Sequence, residues 1–253
     1  MTPNSNLAVC SVFSGDDNTA LWLKLQLEGL RRSVPTFDHL VYLNQADERL
    51  FTESIIVGQS EQPPAGRYRS DGFHFSTGMA GHFKGLKELT EFCTSYPYEY
   101  FLILDSDCFP IHDQWFQILL ECMENFGKSF AAPARVENLD TFPHPCAFFT
   151  VDPEYLRFAG DWNENLVGWT TRDIICAGDT DEWFPLLKSN RHSKHPLLAS
   201  IYYDLFYHHG AGSRKFNMRS LCYYDPILRD YPSAEVLFEE FKKDPDSFVA
   251  SMR

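Results

Sequence analysis

The chain is short of several things, and each shortage excludes a class of protein. Across 253 residues no apolar run approaches the roughly 20 needed to span a bilayer, so no integral membrane segment is expected. Basic residues are few: 22 Lys and Arg stand against 35 Asp and Glu, a formal net charge of −13. Nucleic acid and anionic membrane need clustered positive charge, and neither is expected as a partner. The seven cysteines are scattered and never form a C-x-x-C pair, which argues for reduced thiols rather than a disulfide framework or a zinc knuckle. The start, "MTPNSNLAVCSVFSGDD", has no basic cluster and only a short apolar stretch, so no signal peptide is read there and the expected location is cytoplasmic. There is no internal repeat and no low-complexity tract.

What is present is an alternation. "LAVCSVF" (7–13) reads as a buried parallel strand, followed by the turn "SGDDN". "TALWLKLQLEGLRRS" (19–33) reads as a helix with Leu21, Leu25 and Leu30 near helical spacing and Arg31 and Arg32 in its last turn. "DHLVYLN" and "ESIIVG" read as further strands. Residues 78–96 read as a helix leading into "YEYFLIL", "QWFQILLECMENFG" as another helix, and "SFAAPA" as a strand. The expected fold is therefore α/β, Rossmann-like, with a mainly parallel central sheet and helices on both faces. One domain is expected over 1–253, with a nucleotide-binding half to about residue 110, an acceptor half over 111–220 and a C-terminal helical extension over 221–253. "GDTDEWFPLLKSN" is expected to open a helix, and "SIYYDLFYHH" to be an extended run.

One stretch carries the chemistry. "FLILDSDCFP" (101–110) ends four large apolar residues in two carboxylates, Asp105 and Asp107. Ligands of parallel sheets bind beyond the carboxyl ends of the strands, where these two fall. Like charges so crowded wait for a cation. Mg²⁺ or Mn²⁺ takes one or two protein carboxylates and completes its shell with phosphate and water, and Mn²⁺ also accepts imidazole. His208 or His209, at the end of a later run, offers that imidazole. Arg214 and Lys215 follow, suited to phosphate oxygens. The same Asp-x-Asp taken alone also suits a solvated turn.

These motifs in this order resemble the metal-dependent glycosyltransferases of the GT-A fold. "LAVCSVFSGDD", "FLILDSD" and "YHHGAGSR" match the family's nucleoside loop, its strand-terminal DxD and its later histidine, over roughly residues 7 to 215. The resemblance implies hexosyl transfer from a nucleotide-diphosphate sugar, UDP-linked in preference to GDP-linked, to a carbohydrate or glycan acceptor, with Mn²⁺ or Mg²⁺ as cofactor. It places Asp107 on the metal, Asp105 on the ribose or on the metal through water, and one of His208 and His209 on the metal, with His209 favoured because it precedes the glycine loop. Residues alternate along a strand, so only one of the two histidines is expected to reach the metal.

By the same resemblance, Arg214 steadies the leaving diphosphate. Ser14 and Asp16 contact the nucleoside or, equally, form the N-cap region of the first helix. Asp179, then Asp181, is the candidate base for an inverting transfer; these residues suit a helix cap as well. His82 and Lys84, in "GHFKGLK", either approach the nucleotide or lie on a solvated helix face. Arg67, Arg69, Trp162 and Trp169 are further candidates for donor or acceptor contact. Two competing readings remain: a nucleotidyltransferase, which normally opens with a Gly-rich, basic phosphate loop that "SGDDNTA" lacks, and a non-catalytic nucleotide- or sugar-binding module.

Overall fold

The structure is a computed structural model and describes residues 5–60, 77–136, 143–156, 158, 179–210 and 230–253. Seven strands form one sheet in the order β3-β2-β1-β4-β7-β6-β8. They are β1 (Leu7–Ser14), β2 (Asp38–Asn44), β3 (Ile55–Ser60), β4 (Tyr100–Asp105), β6 (Phe130–Ala134), β7 (Ala147–Thr150) and β8 (Trp183–Leu187). Only β7 runs against its neighbours; the other pairings are parallel. A second, antiparallel sheet of three short strands joins β5 (Cys108–Pro110), β10 (Phe206–His208) and β9 (Ser200–Tyr202) in the order β5-β10-β9.

The core lies on both sides of the large sheet because its central strands carry apolar residues toward both faces. Leu7 and Val9 of β1, with Leu102 and Leu104 of β4, face one way, onto Leu30 of helix α1 (Thr19–Ser33) and Trp115 and Leu119 of α3 (Trp115–Phe126). Ala8, Cys10 and Val12, with Phe101 and Ile103, face the other way, onto Leu86 and Leu89 of α2 (Thr77–Thr94). Burial on both faces is what turns these strands into continuous apolar runs. Two C-terminal helices, α4 (Ala234–Lys243) and α5 (Pro245–Ala250), add Leu237, Phe241 and Phe248 to a third cluster around Trp22 and Tyr207. No helix among the described residues is long and apolar enough to cross a membrane.

Two expectations change. "DEWFPLLK" is not a helix: Asp179–Glu182 form one 3-10 turn, and Trp183–Leu187 are strand β8. Phe184 and Leu186 are buried while Pro185 and Leu187 are exposed, so the apolar side chains follow a period of two. As an edge strand, β8 tolerates the proline. The run "SIYYDLFYHH" is a hairpin, β9 and β10, turned at Tyr203 and Asp204 with φ of 53° and 57°. Both turn residues occupy the left-handed region without a glycine, which is why the turn is hard to read from the sequence.

Candidate metal centre

The strand order places the site. From β1 the chain steps outward to β2 and β3, then returns to lay β4 on the other side of β1. Ligands of open α/β sheets bind at such a reversal, here at the carboxyl ends of β1 and β4. Val12 pairs with Asp105 in register, so the loop after Ser14 and the turn after Asp105 flank the same opening.

Beyond β4 the chain turns through Ser106 and Asp107 into β5, and a buried amide of α1 holds the turn from beneath. Gln26 Nε2 donates to the carbonyls of Asp105 (3.1 Å) and Cys108 (2.9 Å). With both amide protons committed, Gln26 Oε1 is the acceptor for the Ser11 hydroxyl (2.9 Å) and for His39 Nε2 (3.1 Å). His39 Nδ1 in turn accepts from Ser54 Oγ at 2.7 Å. This chain of buried polar groups leaves the carboxamide one orientation.

The second sheet delivers the imidazole. Antiparallel pairing of β10 with β5 sets His208 opposite Cys108, next to Asp107, and the His209 amide donates to the Asp107 carbonyl at 3.0 Å. His208 Nε2 lies 3.5 Å from Asp105 Oδ2 and 3.5 Å from Asp107 Oδ1. Ligand atoms of the three residues all lie within 4.8 Å of one another. Asp107 and His208 are each 5% exposed. Burial opposes a charge on His208, but Cys146 and Asp107 together hold its pKa well above the ordinary value. His82 Nε2, on α2, stands 3.5 Å from the other oxygen of Asp105.

Of the other residues singled out in the sequence, Ser14 and Asp16 lie at the carboxyl end of β1, the end at which β4 carries Asp105. Asp16 Oδ1 accepts from the Asn18 amide (2.6 Å), and its buried Oδ2 has no hydrogen-bond partner. Burial, with the nearby charge of Asp107 adding to it, raises the Asp16 carboxyl above its ordinary value. The Ser14 carbonyl accepts from Thr19 Oγ1 at 2.8 Å. Lys84 is exposed and pairs with Glu88 at 3.5 Å along α2.

His209 does not join the carboxylates. It shares a face with Tyr207, whose hydroxyl is 2.7 Å from His209 Nδ1, and its ring packs 5.4 Å from Trp22 and 5.1 Å from Phe241. Asp181 is not brought to the centre either. Phe101, Thr150, Phe130 and Trp183 form one row across the sheet, at the opposite end from Asp105. Asp181 precedes that row, which is about 13 Å along the strand from Asp105, and β8 lies three strand spacings, about 14 Å, to the side. Asp179 begins the same 3-10 turn, with its side chain outside the described residues. Arg214, Lys215, Arg67, Arg69, Trp162 and Trp169 also lie outside them.

Sequence reasoning missed Gln26, His144 and Arg135. His144 Nε2 is 2.9 Å from Arg135 Nη1. Burial foremost, then the charges of Arg135, His208 and His82, depress the His144 pKa well below its ordinary value. The signal for His144 and Cys146 was "HPCAFF", a polar entry to a buried strand, which points to no chemistry until the sheet lays β7 beside β4.

The donor set fits a hard divalent cation. Two carboxylates and one imidazole bring their ligand atoms within 4.8 Å of one another and are mostly withdrawn from water.

No family model matches the chain, and no curated protein matches it by sequence. Among solved structures it is similar to the 1–349 fragment of S. aureus TarS in complex with UDP-GlcNAc, at 12% identity over 52% of this chain and 34% of that one, TM-score 0.32. It is similar to a cytidylyltransferase from Leptospira borgpetersenii, at 13% identity over 97% of each chain, TM-score 0.48. A third is the mannosyltransferase PcManGT from Pyrobaculum calidifontis with GDP-Man and Mn²⁺, at 8% identity over 60% of this chain and 45% of that one, TM-score 0.38. The chain spans about a third of the TarS fragment and 21% of a longer TarS chain. All these TM-scores fall below 0.5, so function is argued from the site alone.

Proposed function

We propose that the chain is a divalent-metal-dependent glycosyltransferase that moves a sugar from a nucleotide-diphosphate donor to a carbohydrate hydroxyl. The observation that carries the reading is the convergence of Asp105, Asp107 and His208 at the carboxyl end of β4, beside the strand-order reversal. In this reading Asp107 and His208 hold Mn²⁺ or Mg²⁺, with Asp105 alongside. The cation would neutralise charge on a departing diphosphate as a Lewis acid.

The chain's own residues do the rest. Gln26 and the β5–β10 pairing keep the carboxylates and the imidazole in one arrangement before any ligand arrives, so little reorganisation is needed on binding. The buried, unpartnered Oδ2 of Asp16 lies on the flank where a nucleoside hydroxyl or ring N–H would dock, and such a donor would offset the burial that raises its pKa. In this reading Arg214 supplies positive charge to the diphosphate. A UDP-linked sugar is the first donor to test.

The nucleotidyltransferase reading is weaker, because the loop after β1, "SGDDNTA", carries two aspartates and no basic residue to hold a triphosphate. Thermal unfolding with UDP, GDP or CDP, each with and without Mn²⁺, tests the proposal. Stabilisation requiring nucleotide and metal together, abolished by Asp107→Ala, is the expected result. Equal stabilisation without metal overturns it. Release of pyrophosphate from a nucleoside triphosphate and a sugar 1-phosphate would favour the nucleotidyltransferase instead.

A further inference from the structure

The two oxygens of Asp105 face two different histidines. His208 Nε2 lies 3.5 Å from Oδ2, on the side of Asp107, and His82 Nε2 lies 3.5 Å from Oδ1, on the outer side. The His208 side chain is 6% exposed and the His82 side chain 28%, so the first belongs to the floor of the site and the second to its rim.

The approach of His82 is built into the packing of α2. A Cβ on Gly81 would come within 2.4 Å of Asn44 Oδ1, and one on Gly85 within 2.6 Å of Tyr42 Cδ1 and 2.8 Å of Val12 Cγ2. Glycines on either side of His82 therefore let the helix lie against the carboxyl ends of β1 and β2 closer than any side chain permits. That closeness carries the imidazole to Asp105.

We infer that His82 is a positioning residue that restricts Asp105 to offering a single oxygen, and that it thereby sets which cation the centre accepts. The inference rests on the metal-dependent reading above. With Oδ1 turned toward His82 Nε2, Oδ2 is the oxygen that faces His208. Mg²⁺ and Mn²⁺ are six-coordinate and are served by carboxylates giving one oxygen each, whereas Ca²⁺ favours more oxygens and readily takes both from one carboxylate. Hydrogen bonds to the outer oxygen of a ligating carboxylate commonly change metal affinity by tenfold or more. Releasing Oδ1 should cost Mn²⁺ its well-oriented ligand and offer Ca²⁺ a second oxygen.

The experiment measures Mn²⁺ affinity by loss of the free-ion paramagnetic resonance signal and Ca²⁺ affinity by calorimetry. Both are done without nucleotide, on the full chain and on His82→Ala, His82→Gln and Asp107→Asn. We expect the preference for Mn²⁺ over Ca²⁺ to fall by about tenfold in His82→Ala. It should largely return in His82→Gln, whose amide N–H can reach the same oxygen. Thermal stability should barely change, since His82 lies at the rim. An unchanged ratio in His82→Ala, with Mn²⁺ binding still lost in Asp107→Asn, overturns the role of His82 and leaves the metal centre standing. Failure of the unmodified chain to bind Mn²⁺, or binding indifferent to Asp107→Asn, overturns both. A ratio equally reduced in the alanine and glutamine variants overturns the hydrogen-bonding role.

Discussion

His39 shows how one residue links the site to stability. It is 2% exposed on β2, and burial, with the charge of Arg31 adding, lowers its pKa from 6.5 to about 3. The ring is therefore neutral in the folded protein. Its Nε2 carries the proton because Gln26 offers only an oxygen there, and Nδ1 accepts from Ser54. A histidine with a depressed folded pKa is protonated first in the unfolded chain. Stability is then full above about pH 6.5 and falls as pH drops toward 3, by about 1.4 kcal/mol per unit for one proton, or about 2 kcal/mol at pH 5. Urea unfolding at pH 7 and pH 5 should show that loss, and His39→Gln should show less of it. An identical pH dependence in the variant would mean that His39 titrates freely in the fold. The same ring orients Gln26, so acid should loosen the Asp-x-Asp turn as it unfolds the protein.

At the scale of elements, the decisive one is β10, three residues long. Residues of a strand alternate between faces, and the phase of β10 is set by Tyr207, whose ring stacks on Phe241 at 5.4 Å and 1°. Tyr207 and His209 therefore face α4, and His208 faces the carboxylates. His208→Ala should abolish Mn²⁺-dependent stabilisation by nucleotide. His209→Ala should retain it while lowering stability by roughly 3 kcal/mol, because it empties an aromatic cluster and removes the hydrogen bond to Tyr207. Ligand-dependent and ligand-free melting curves of both variants separate the two roles; the reverse outcome would exchange the histidines. Position beside the glycine loop favoured His209, but register, set by pairing with β5, places His208 at the site.

At the scale of the molecule, the sheet separates two groups of acidic residues that lie close to one another in the family-like reading. Asp105 and Asp107 stand at the carboxyl ends of the parallel strands, and Asp181 stands at the amino end of β8. Its main-chain carbonyl accepts from Lys128, and the neighbouring Glu182 accepts from Ser129 Oγ at 2.6 Å, so this turn ties β8 to the start of β6. Asp181→Ala should leave transfer within about twofold of the unsubstituted chain, as surface substitutions away from a site do. A loss of a hundredfold or more in a steady-state assay would require the turn to reach the site. The net charge of −13 acts at this scale too. In the proposed function this acidic chain binds an anionic diphosphate, and a cation at the centre would offset the repulsion between them.

By itself the sequence determined the alternating elements, the two-sided core and the crowding of Asp105 and Asp107 at a strand end. Those depend on local apolar runs, on turn chemistry and on two charges crowded at a strand end, all of which are written in consecutive residues. Tertiary structure decided which histidine faces the carboxylates, that His82 lies beside Asp105, that Gln26 braces the turn from α1 and that "WFPLL" is an edge strand. Each of these depends on residues tens of positions apart meeting through strand register and helix packing. His208 reaches Asp107 only because β10 pairs with β5 in that register, and no local pattern in the chain encodes the pairing.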